Sequence, residues 1–230
     1  MAAKSSGETV RVLHSPSNPI AKGSERIRTA VDTLRGRGVR VELVTIEGRA
    51  NADVLAELSR CDLVVDQLYS DYAMPGFATE ASWYGKPVLI CGYAQPMWKE
   101  WLPEEATPPT VFCHPDRFEA ELERLVRDPA ARAAAGRAGR RFAELQWSPR
   151  AVAARYLQII RGDVPDSWWL DPRDNRYLHG VGMPEPAVKR IVRELIERHG
   201  TEALQLEDKP ALARAFESWS RSETESGRPT

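Results

Sequence analysis

Val10–Pro16, VRVLHSP, followed from Ser24 by SERIRTAVDTLRGRG, is the stretch that decides the fold. Its first part is β-branched and aliphatic and ends on Ser15 and Pro16, which fits a buried strand whose ladder stops at the proline. In the second part Ile27, Ala30, Val31 and Leu34 recur at i, i+3, i+4 and i+7, one face of a helix that Gly36 and Gly38 stop. The intervening SNPIAKGS reads as a loop. The unit then repeats: VRVELVT at 39–45, a helix over 51–60 carrying Val54, Leu55 and Leu58, and the strand LVVDQL at 63–68. A helix over 77–84, the strand PVLIC at 87–91 and the run TVFC at 110–113 follow. Strands that alternate with helices and read as continuous apolar runs belong to a parallel sheet covered on both faces. The expected class is α/β, a Rossmann-like doubly wound layer with right-handed crossovers.

From residue 116 the pattern turns helical. Asp116 with Glu119 reads as a capping box, and Asp128-Pro129 and Ser148-Pro149 each read as an N-cap followed by proline at the first helical position. The last of these three helices carries Val152, Ala153, Tyr156, Leu157 and Ile160 on one face, which is expected to pack on the sheet domain. Arg132, Arg137, Arg140 and Arg141 read as a solvated helix face. A segment at 162–186 is rich in Pro, Gly and Asp, yet its Trp168, Trp169 and Tyr177 are costly to leave in water. Two apolar-striped helices follow, one with Val188, Ile191, Val192, Leu195, Ile196 and His199, the other with Leu212, Phe216 and Trp219. The expected domains are therefore a sheet domain over 9–161 and a helical carboxyl-terminal appendage over 162–220, with flexible ends at 1–8 and 221–230. Residues 165–219 are expected to cover an apolar surface of the sheet domain or of a second copy, which favours a dimer; the alternative is a docking arm for a separate acceptor subunit.

Composition narrows the function classes. A chain of 230 residues can bury a core without staples, and its 32 Lys plus Arg against 33 Asp plus Glu lack the basic excess of a duplex-binding protein, so nucleic acid is not an expected partner. Cys61, Cys91 and Cys113 form no C-x-x-C, which argues against a zinc site or a secreted disulfide framework and for a reducing cytoplasm. No apolar run reaches the length of a membrane span, and no signal-type segment opens the chain. The four histidines have no metal-ligand spacing, so neither a metal nor another cofactor is expected. No nucleophile elbow supports a Ser-His-Asp arrangement.

Ligands of open α/β sheets bind at the carboxyl ends of the strands. Lys22-Gly23-Ser24 stands there at a helix start, where backbone N–H groups and the helix dipole favour an anion and a lysine adds a point charge for a diphosphate. The alternative is a solvated loop lysine, since neither G-x-x-x-x-G-K-[ST] nor G-x-G-x-x-G is present. Gly76 and Phe77 open the second such helix, and Glu80 lies one turn inside it, where a carboxylate can accept two hydrogen bonds from a ribose diol or can be an ordinary helix acid. Trp98 and Trp101 can stack on a base or sugar, or form a hydrophobic rim.

Together HSPSNPIAKGSERI and CDLVVDQLYSDYAMPGFATEASWYGKPVL resemble the carboxyl-terminal, nucleotide-sugar-binding half of group-one (family-four) retaining glycosyltransferases of the GT-B fold. Lys22-Gly23, Asp62, Asp66-Gln67, Gly76-Phe77, Glu80-Ala81 and Gly85-Lys86-Pro87-Val88 match the order and spacing of that family's motifs, and FAELQWSPRAVAARYLQII is similar to its closing helices. The resemblance implies a donor half that binds a nucleoside diphosphate or its sugar, with Lys22 and loop N–H groups on the phosphates and Glu80 on the ribose. It implies glycosyl transfer without a required metal. Three departures stand beside it. Pro19 occupies the place of an arginine on the diphosphate, Tyr72, with Asp71 beside it, the place of the family's first glutamate, and only eight residues precede the domain. An acceptor-domain partner chain is therefore expected for catalysis. The alternative is a non-catalytic nucleotide-binding or interaction module derived from such an enzyme.

Overall fold

The computed structural model describes residues 8–70, 72–93, 104–169 and 185–222. β1 (Val10–His14) lies between β2 (Val41–Thr45) and β3 (Leu63–Val65), β4 (Val88–Cys91) follows β3, and β5 (Val111–Cys113) forms the edge. All pairs are parallel, in the order β2-β1-β3-β4-β5. The α/β class and the Rossmann-like parallel sheet are thus as the sequence reads. The helices are α1 (Pro19–Lys22), α2 (Ser24–Gly36), α3 (Asn51–Arg60), α4 (Gly76–Trp83), α5 (Phe118–Arg127), α6 (Pro129–Gln146) and α7 (Pro149–Arg161). α8 (Glu185–His199) and α9 (Pro210–Arg221) follow.

Helices cover both faces of the sheet. On one, Ile27, Val31 and Leu34 of α2 and Phe118, Leu122 and Leu125 of α5 pack on Val12, Val65, Leu89 and Cys91. On the other, Leu58 of α3, Ala78 and Ala81 of α4 and Ala143 of α6 meet Leu13, Val64, Val88 and Ile90. α6 approaches the turn after α4 closely enough that a Cβ on Gly136 would sit 2.2 Å from the Gly85 carbonyl oxygen. Gly85 itself is left-handed at φ 66°, and Lys86 Nζ donates to the Cys61 carbonyl at 2.7 Å, closing the carboxyl end of α3. The Gly-Lys-Pro-Val motif is therefore satisfied by the fold itself.

Several local expectations are corrected. The SNPIAKGS segment contains a one-turn helix, α1, because Asn18 Oδ1 accepts from the Ile20 and Ala21 N–H groups and Pro19 takes the first helical position. The Asp116–Glu119 capping box does not form: His114 Nδ1 accepts from the Asp116 N–H at 3.2 Å and starts a 3-10 turn over 115–117 instead. Arg132 is buried at 4 % exposure, unlike the exposed Arg137, Arg140 and Arg141, because its guanidinium donates to the Leu125 and Val126 carbonyls that end α5. Burial lowers its pKa from the ordinary arginine value.

α7 departs most from expectation. Its caps are as read, Ser148 Oγ accepting from the Ala151 N–H at 3.2 Å as Asp128 does for α6. Its apolar face, however, does not pack on the sheet: Val152, Tyr156, Leu157, Ile159 and Ile160 are all exposed. Both sheet faces are already filled by α2 and α5 and by α3, α4 and α6, and α7 lies against the end of α6. Trp168 follows in a 3-10 turn and lines a groove with Phe142, Trp147, Val152 and Tyr156, while Trp169 stays exposed. With no buried residue of its own, α7 leans on its cap, so Ser148→Ala is expected to cost the helix about 1 kcal/mol. Faster amide hydrogen exchange in its first turn, with the core unchanged, is the expected readout; an unaltered rate contradicts it.

The chain divides into two compact units, residues 1–169 and 170–230, so 162–169 goes with the sheet. In the second unit α8 and α9 pack on each other. Lys189, 4 % exposed, pairs with Glu185 of its own helix at 2.8 Å and reaches across to the Ser222 hydroxyl at 3.0 Å and the Trp219 ring face of α9. Ile191, Leu195, Leu212 and Phe216 are left exposed. Tyr177 lies outside the described residues. No helix among the described residues is long and apolar enough to cross a membrane.

Candidate functional site

Because every strand is parallel, all carboxyl ends share one edge, and the winding reverses between β1 and β3, where open α/β sheets form their ligand crevice. Two side-chain pairs occupy that point. His14, the last residue of β1, is 1 % exposed, with Nδ1 at 2.9 Å from the Val65 carbonyl oxygen and Nε2 at 2.7 Å from Ser24 Oγ. A carbonyl only accepts, so Nδ1 carries the proton and Nε2 accepts from the Ser24 hydroxyl. Burial lowers the His14 pKa and keeps the ring neutral. The pair ties the end of β1 to the start of α2.

Lys22 and Asp66 form the second pair. Asp66 is fully buried; its Oδ1 accepts from Lys22 Nζ at 2.7 Å and its Oδ2 from the Ala78 N–H at 3.1 Å. One carboxylate thus neutralises the lysine and caps the amino end of α4. Phe77 stands beside it, its ring centroid 6.0 Å from Lys22 Nζ. Lys22, Gly76 and Phe77 are therefore brought to one place, as their position after parallel strands requires. Asp66, which organises the pair, stands in the sequence within the Asp66-Gln67 motif, and its partner lies 44 residues away. Glu80 sits one turn further into α4, half-buried, and its carboxylate makes no hydrogen bond or ion pair among the described residues.

The backbone donors expected from the first loop are already used. Asn18 takes the N–H groups of Ile20, Ala21 and Lys22, and the Gly23 N–H turns back to the Ile20 carbonyl at 3.1 Å. Gly23 is left-handed at φ 74°, and a Cβ there would press on Leu68 at 3.0 Å. The N–H groups of Ser24, Glu25 and Arg26 in the first turn of α2 have no acceptor among the described residues. Beside them opens a cavity of about 530 Å³ lined by Pro19, Ile20, Gly23, Ser24, Arg26 and Tyr69. Lys22 and Glu80 do not line it.

Arg26 is the cation the sequence reading did not single out. It donates to the Pro115 carbonyl at 2.8 Å, and hydrogen bonding to Tyr69, with Asp116 beyond it, raises its pKa. A basic residue in the first turn of a helix after a strand was the available signal, masked by the many arginines around it. Tyr72 is exposed, while Asp71, Trp98 and Trp101 lie outside the described residues. No group of three or more His, Cys, Asp or Glu side chains that could hold a metal ion comes together among the described residues. Compared with known proteins, the chain matches no family model and no curated protein.

Proposed function

We propose that the carboxyl edge of this sheet binds a nucleoside diphosphate or its sugar, as the donor half of a glycosyltransferase of GT-B type, with transfer dependent on an acceptor domain supplied by a partner chain. The supporting observation is the convergence at the β1/β3 switch point of two helix starts, the Lys22 ammonium and the free first turn of α2. Lys22 spends one donor on Asp66 and keeps two for phosphate oxygens. Arg26 offers a second cation at the cavity where Pro19 stands in place of the family's arginine. Glu80, half-buried and unpaired among the described residues, is the ribose acceptor in this reading. The cavity of about 530 Å³ beside the first turn of α2 is within the range of small-molecule sites, with Lys22 and Glu80 standing outside its lining.

A second reading, a non-catalytic interaction module derived from such a domain that no longer binds nucleotide, is favoured by the neutralisation of Lys22 by Asp66. Calorimetric titration with nucleoside diphosphates and the matching nucleosides separates the two. On the first reading diphosphates bind, and Lys22→Ala weakens them by about 1.5 to 3 kcal/mol while leaving nucleoside affinity unchanged. Circular dichroism must show the variant folded, since it leaves Asp66 unpaired. Absence of diphosphate binding by the native chain favours the second reading.

A further inference from the structure

Cys91 ends β4 and Cys113 ends β5, and the parallel register pairs them directly. Residues paired in register on adjacent strands project to the same face, here the α2/α5 side of the sheet. Their Sγ atoms lie 3.4 Å apart. A strand spacing of about 4.8 Å falls within the Cα separation that a disulfide spans, and the sulfurs have only to close to about 2.05 Å. We propose that Cys91 and Cys113 form a peroxide-reactive dithiol that closes to an intrachain disulfide, a modification site at the same sheet edge as the candidate ligand cavity.

Access and chemistry assign the roles. Cys113 is 8 % exposed and Cys91 fully buried, so Cys113 meets the oxidant first. The contact between the two sulfurs lowers the Cys113 pKa and, with burial, raises that of Cys91, which favours the Cys113 sulfur as the nucleophile. That sulfur attacks hydrogen peroxide: an S–O bond forms, the O–O bond breaks, and hydroxide leaves to take the displaced proton as water. Cys91 Sγ then attacks the sulfenic sulfur of Cys113; the S–S bond forms, the S–O bond breaks, and a second water carries off the Cys91 proton. Two thiols and one peroxide become one disulfide and two waters. Cys61 packs on the opposite face of the sheet, and burial pushes its thiol up to about 12, so it serves as an internal control.

The test uses the full chain, reduced, freed of reductant, exposed to hydrogen peroxide, then denatured and alkylated with N-ethylmaleimide for intact and peptide mass spectrometry. The expected product has lost the mass of two hydrogens, takes one maleimide, on Cys61, and regains all three sites after dithiothreitol. Cys91→Ser is expected to stop at a sulfenic acid on Cys113 that dimedone traps, and Cys113→Ser to keep both remaining thiols. The proposal is overturned if the native chain still takes three maleimides, if the bridge includes Cys61, or if the thiols gain oxygen irreversibly instead of losing hydrogen.

Discussion

Asp66→Ala is expected to remove about 3 to 5 kcal/mol of folding stability, the usual consequence of deleting one partner of a buried ion pair. The carboxylate is fully buried, and the Lys22 side chain is 15 % exposed, so the lysine cannot regain its hydration where it stands. The Ala78 N–H also loses its acceptor at the start of α4. Against a total stability of about 5 to 15 kcal/mol, the variant should show a much lower urea midpoint and a disturbed carboxyl edge of the sheet. Asp66→Asn, which keeps one acceptor oxygen, is expected to lose less. Lys22→Met combined with Asp66→Asn should cost less than the two changes summed, because no unpaired charge remains. An Asp66→Ala chain within about 1 kcal/mol of the parent would mean that the pair contributes nothing to the fold.

Gly92→Ala is expected to cost about 3 kcal/mol, the upper part of the overpacking range. A Cβ on Gly92 would stand 1.9 Å from the Ser70 carbonyl oxygen and 2.8 Å from the Phe112 ring. The clash cannot be relieved by a small shift, since the Ser70 N–H donates to the Cys91 carbonyl at 2.9 Å and the Gly92 N–H to the Cys113 carbonyl at 3.1 Å. Ser70 adjoins Tyr69 in the cavity wall, so the substitution is also expected to displace that wall. Gly36→Ala, with nothing within 4 Å of the added methyl and a place in the last turn of α2, is expected to be neutral or slightly stabilising. Parallel urea titrations of the two variants check the contrast, and equal midpoints would contradict it.

What the sequence by itself determined is local. The i, i+3, i+4, i+7 face of α2, the proline-led starts of α6 and α7 with Asp128 and Ser148 as caps, and the apolar runs of the strands were legible because each signal lies within a few residues and acts through backbone geometry. Alternation of strand and helix then required a parallel sheet with Lys22 and the start of α4 at one edge. The tertiary structure decided whatever depends on partners far along the chain. Asp66 neutralises Lys22 across 44 residues, Arg132 is buried because the end of α5 offers it carbonyls, and Cys91 meets Cys113 only through the β4/β5 register. α7 shows the limit most plainly: its periodicity gave it an apolar face, but two sheet faces hold only so many helices, and those that filled them left that face exposed. Periodicity says which side of an element is apolar; what that side touches follows from competition for a finite buried surface, which no local stretch of chain encodes.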